Sequence, residues 1–174
     1  MLLRAKLQEM TLVKDVDQHP EILRRISQQC PNTIRLLESQ HPIGRYTCLV
    51  HALDFTEKPE YLAIAKYPFR CAFAGPEFAH WLIGGGHLKE LSAGSANRGD
   101  LILYLDNGQF KHAAIFLSDG RANSKWGVGH LFEHGILEVP SSYASEVRFF
   151  GRLPYDVAHG CFVDFARESG LLID

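Results

Sequence analysis

The chain is 174 residues long with 46% apolar content, enough to bury about 70% of its unfolded surface, so a hydrophobic core can form without disulfides or a metal. A formal net charge of -2 removes the electrostatic case for nucleic acid or an anionic membrane surface as partner. Four cysteines, Cys30, Cys48, Cys71 and Cys161, show no C-x-x-C spacing and read as reduced thiols, not as a disulfide framework.

The opening stretch MLLRAKLQEMTLVKD lacks the apolar run and small-residue cleavage site of a signal peptide, and no apolar run approaches the length of a membrane span. A cytoplasmic location is the expectation. His19-Pro20 leads into a helix predicted over residues 21–29, where Ile22, Leu23 and Ile26 form an apolar stripe. Pro31-Asn32 separates it from a shorter helix expected through Ile34, Leu36 and Leu37. In GRYTCLVHALDF, Thr47 is placed to cap a short helix whose apolar face is Cys48, Leu49, Ala52, Leu53 and Phe55. A thiol in a first helical turn meets the positive end of the helix and its free N–H groups, which favour the thiolate. His51, one turn later, shares that helix face. Gly75-Pro76 opens a further helix through Phe78, Trp81 and Leu82, and Gly84-Gly85-Gly86 ends it. The triple glycine lacks the spacing of a phosphate loop and reads as a flexible helix exit.

After a loop over residues 94–99 comes GDLILYLDNGQFKHAAIFL, residues 99–117, in which two apolar runs meet at Asn107-Gly108. Both residues tolerate positive φ, so the pair suits a two-residue type I′ turn. The turn sets Asp106 opposite Gln109, Tyr104 opposite Lys111 and Leu103 opposite His112, which places an imidazole inside a sheet. Such a histidine is either a satisfied core residue or a catalytic base, and the second reading needs a nucleophile elsewhere. Cys48 meets that need, its alternative being a buried structural thiol. A cysteine followed far along the chain by histidine is the sequence form of a thiol nucleophile and its base. Strands are predicted over residues 121–126, 136–139 and 147–153, and a helix over 161–168. The organisation is α+β, without repeats, low-complexity segments or a dividing linker.

A Cys at a helix start, then a Gly-Asp-Leu-(apolar)-x-Tyr strand, then His-Ala-Ala-Ile-Phe-Leu followed by Asp-Gly, resembles the NlpC/P60 papain-like cysteine peptidases. The similarity spans residues 46–152 and is strongest over 99–127. It implies a helical N-terminal part on a central antiparallel sheet: a prelude over residues 1–45, a catalytic core over 46–152 and a C-terminal helix over 153–174, all in one domain. It further implies Cys48 as nucleophile, His112 as base and, twelve positions on, Ser124 as the residue that orients the imidazole. Tyr46 and His51 are candidates for substrate binding or oxyanion support, with Tyr46 standing in for a tyrosine that the family places where Leu36 lies here. The chain also departs from the pattern by having Thr47-Cys48-Leu49-Val50 in place of Asp-Cys-Ser-Gly. Asn123 is the chemical alternative to Ser124, on the opposite strand face.

The expected activity is hydrolysis of an amide or peptide bond, in a cell-wall-type peptide as the resemblance suggests, without a cofactor. The alternative is a catalytically silent binding module on the same fold. A rival motif, His130-Leu131-Phe132-Glu133-His134, matches the H-x-x-E-H pattern of zinc peptidases. Gly127, Gly129 and Gly135 crowd it, leaving little room for the helix that would hold the two histidines rigid, and no metal is expected.

Overall fold

The computed structural model describes residues 2–65 and 72–171; Cys71 lies outside them. At the N-terminus, α1 (Leu2–Thr11) and α2 (His19–Gln29) pack on each other. Pro20 falls in the first turn of α2, where its missing N–H costs nothing, so this helix begins earlier than the predicted residue 21. The shorter helix expected through Ile34, Leu36 and Leu37 is instead the strand β1 (Arg35–Leu37), paired antiparallel with β6 (Leu131–Gly135). In so short an apolar run periodicity does not separate helix from strand, and the edge pairing decides.

The remaining strands are β2 (Glu90–Leu91), β3 (Leu101–Asp106), β4 (Gln109–Ser118), β5 (Arg121–Lys125) and β7 (Glu146–Phe150). They form one seven-stranded sheet in the order β1-β6-β5-β4-β3-β7-β2, with every neighbouring pair antiparallel. The strand expected over residues 136–139 is displaced to β6; residues 136–139 instead turn, with the Glu138 N–H donating to the Gly135 carbonyl at 2.8 Å.

Helices cover both faces of the sheet. On one, α1 and α2 bury Leu7, Met10, Leu23 and Ile26 against Ile102, Tyr104, Ala114, Ala122 and Phe132. On the other lie α3 (Cys48–Ala52), α4 (Pro59–Ala65), α5 (Pro76–Gly84) and α6 (Tyr155–Glu168), whose Leu49, Tyr61, Phe78 and Phe162 meet Leu101, Leu103 and Leu105. The unbroken apolar run of β3 follows from this two-sided burial: alternate residues feed opposite cores, each side chain contributing about 1.5–3 kcal/mol. α6 starts well before the predicted residue 161 and extends that second core. Among the described residues no helix is long and apolar enough to cross a membrane.

The β3–β4 hairpin turns at Asn107-Gly108, with φ of 51° and 76° as a type I′ turn requires. Asp106 lies opposite Gln109, as the sequence predicts. The next pairs do not follow. A bulge at Lys111 leaves Leu105 opposite Phe110 but sets Tyr104, not Leu103, opposite His112. One extra residue reverses every side chain beyond it, so His112 moves from the Leu103 face to the Tyr104 face.

Candidate functional site

Thr47 is extended (φ -111°, ψ 179°) and its carbonyl accepts the first bond of α3 from the His51 N–H at 3.0 Å. Its hydroxyl makes no capping bond, contrary to the expected role, and is buried without a hydrogen-bond partner among the described residues. Cys48 is therefore the first residue of a helix that lies across β4 and β5.

The sheet opens beneath this helix start. β4 is registered with β5 only from Ile115 opposite Asn123 to Ser118 opposite Arg121, while nearer the hairpin turn β4 pairs with β3 alone. A cavity of about 210 Å³ is lined by Thr47, Cys48, Phe73, Phe110, His112 and Tyr143 among others, with Gly127 beyond the end of β5. Cys48 packs against the α3-side core, and the His112 ring lies 5.5 Å from the ring of Tyr104, which belongs to the opposite core. The two residues singled out as nucleophile and base thus share one mostly apolar pocket.

His112 is 1% exposed, and its Nε2 is buried with no hydrogen-bond partner among the described residues. Its ring lies flat on Tyr143, with centroids 3.9 Å apart and planes 14° apart. Burial holds the imidazole well below its ordinary value, helped by repulsion from His134 and His51. The Cys48 thiol is pushed up, again by burial, against the opposing pull of the Ala113, Leu49 and Cys48 N–H groups and of the Lys125 ammonium. Burial thus opposes the helix start, which the sequence expects to favour the thiolate. Desolvation outweighs the helix terminus, and both partners rest neutral near pH 7.

Ser124 does not reach His112. It is fully buried on the α1/α2 face, where its Oγ lies 2.8 Å from His134 Nε2 and accepts the Trp126 indole N–H at 3.0 Å. His134 Nδ1 lies 2.8 Å from the Gly135 carbonyl, which can only accept; Nδ1 therefore carries the proton, and Nε2 accepts from the Ser124 hydroxyl. The hydroxyl expected to orient the base orients a different histidine. Asn123, on the other face as strand alternation dictates, accepts from His51 Nε2 at 3.1 Å.

Tyr46 and His51 also lie away from the Cys48 pocket. Both line a separate cavity of about 450 Å³ with Ser39, His41 and Asp54, and the Tyr46 phenol is bonded to Ser39 at 2.7 Å. Tyr143, Gly127 and Phe73, which do line the Cys48 pocket, carry no motif in the sequence. The signal nearest to them is the glycine cluster around residue 127, a place where backbone can approach a cavity.

The HLFEH segment runs into β6, a strand, so its histidines are not a helical i, i+4 pair. His130 Nε2 is 3.0 Å from the Val16 carbonyl, and both ring nitrogens of His134 are engaged as described. Among the described residues no group of three or more metal-ligating side chains is gathered. No protein-family model, curated protein or solved structure matches the chain.

Proposed function

We propose that the protein is a thiol hydrolase of the NlpC/P60 kind, acting in the cytoplasm on an amide or peptide bond, including one in a cell-wall-type peptide. The observation that carries this reading is the pocket itself: Thr47, Cys48 and His112 line it, and the Thr47 hydroxyl and His112 Nε2 are buried without hydrogen-bond partners among the described residues. Buried polar atoms are rarely left unpaired, and a substrate amide supplies both a donor and an acceptor for them.

Since both groups rest neutral, His112 acts as a general base during attack, not as half of a preformed ion pair. The Cys48 sulfur bonds to the carbonyl carbon as His112 Nε2 takes its proton, and the carbonyl π electrons move onto oxygen. The Cys48 N–H at the helix start is a donor for that oxyanion, with the Thr47 hydroxyl beside it. Collapse breaks the C–N bond, and the imidazolium returns its proton to the leaving amine. Water then attacks the thioester, giving its proton to His112, and the thiol leaves reprotonated. Stacking on Tyr143 fixes the imidazole plane where a hydrogen-bonding third residue would otherwise do so.

A binding module that keeps the pocket without chemistry is the second reading, favoured by the raised thiol and by the commitment of Ser124 to His134. Screening a panel of peptide and D-amino-acid amides with the wild-type chain and Cys48→Ala separates the two. Turnover lost in Cys48→Ala supports the hydrolase; ligand binding without turnover, equal in both proteins, overturns it.

A further inference from the structure

Lys125 ends β5 as a fully buried lysine, 0% exposed. Its ammonium donates to the Gly127 carbonyl at 3.0 Å and the Gly129 carbonyl at 2.6 Å, and stands 4.9 Å from the centroid of the Tyr46 ring. Carbonyl dipoles and a ring face satisfy its protons but do not neutralise its charge, and among the described residues no carboxylate pairs with it. An ammonium removed from water without a counter-anion is costly, so its retention needs a purpose.

Its position supplies one. Lys125 lies on the face of β5 that meets α3: Asn123 on the same face binds His51 of α3, and Tyr46 directly precedes Thr47 and Cys48. Gly127, whose carbonyl the ammonium holds, lines the Cys48 pocket. We infer that Lys125 is the counter-charge for the anion that forms at Cys48 during acyl transfer, acting through its field and through the 127–129 loop it ties down. It is a positioning residue, and the inference rests on Cys48 as nucleophile.

The electrostatics agree in both directions: the ammonium favours the thiolate, and the thiolate favours the ammonium, although burial is the larger effect on Lys125 and leaves it lowered to about 8. The other titratable groups around the thiol are His51 on its own helix, His112 and Lys111 from β4, and Tyr143 from the turn before β7. Burial keeps the two imidazoles and the phenol neutral near pH 7. Lys111 lines the same pocket but is exposed at the bulge, and it serves as the comparison.

The test is the pH profile of Cys48 alkylation by iodoacetamide, mapped by mass spectrometry. Lys125→Met keeps the apolar stem, and Lys125→Gln keeps a donor for the glycine carbonyls while removing the charge. Both should raise the Cys48 inflection by about one pH unit, slowing alkylation about tenfold at pH 7.5, a larger change than Lys111→Met produces, because water screens the exposed Lys111 side chain. An unchanged inflection in a Lys125 variant that still melts cooperatively overturns the inference. A readout that needs no Lys125 variant is the preference of Cys48 for iodoacetate over iodoacetamide in Lys111→Met protein, which should exceed that of free cysteine at least threefold; no preference also overturns it. The outcomes stay separable from the hydrolase reading. A Cys48 whose charge coupling to Lys125 holds while no amide is turned over removes the hydrolase alone, and amide turnover with an unmoved inflection removes this inference alone.

Discussion

The imidazole of His112 is stacked on the phenol of Tyr143 at 3.9 Å, while the hydroxyl nearest to it in the sequence pattern, Ser124, is bonded to His134. This imidazole, the base in the proposed reaction, thus lies on an aromatic plane and is not bonded to Ser124. Tyr143→Phe should keep the ring and most of the activity. Tyr143→Leu loses a stacking contact worth about 1 kcal/mol and should lower kcat about fivefold to tenfold with little change in KM. Steady-state kinetics on a substrate found by the amide panel checks both, and equal kcat in the two variants would remove the positioning role.

Ser124→Ala should reduce stability more than catalysis. It leaves the Trp126 N–H and His134 Nε2 without partners in a sealed core, at a cost of about 2–4 kcal/mol. Urea midpoints measure the loss, and kcat of the remaining folded enzyme should stay within about threefold of wild type. A loss of kcat of a hundredfold or more at unchanged stability would restore Ser124 to the catalytic set.

Acid should weaken the fold through His134. Burial lowers its pKa to about 4, below the ordinary 6.5 of an unfolded chain, so the unfolded state binds the proton more readily. Its contribution is complete above pH 6.5, declines as pH falls from there through 4, and amounts to about 3 kcal/mol. His112, also buried neutral, acts with the same sign. Urea midpoints at pH 7.5 and pH 4 should differ strongly in wild type and less in His134→Phe, and an equal difference would contradict the assignment.

Alkylation of Cys48 should rise about tenfold per pH unit through the neutral range and beyond pH 8, because burial holds the thiol up. A resting thiolate–imidazolium pair would instead give a plateau reaching below pH 6. Rates mapped from pH 5 to 10 discriminate the two, and a plateau would mean that the helix terminus and Lys125 outweigh desolvation.

At the hairpin tip, Gly108 takes a φ of 76°, which an L side chain resists, and a Cβ built there meets no heavy atom within 4 Å. Gly108→Ala should therefore cost about 1 kcal/mol through backbone strain alone and leave the thiol profile unchanged. Thermal melting measures it, and an unchanged melting temperature would exclude the positive-φ turn.

Much of the hairpin and the helix start at Cys48 was legible because each depends on local chemistry. Asn-Gly specifies its turn and Pro76 marks the first turn of α5. The α+β class follows from those signals. The bulge at Lys111 was not legible, because an extra residue inserted between good strand formers leaves no local signature; yet it decides which face His112 occupies. Desolvation of Cys48, the capture of Ser124 by His134 and the burial of Lys125 beneath α3 were likewise hidden, since each depends on segments distant in sequence. Local preference set what the elements are; the packing of helices onto both faces of the sheet set which side chains meet and which charges lose their water.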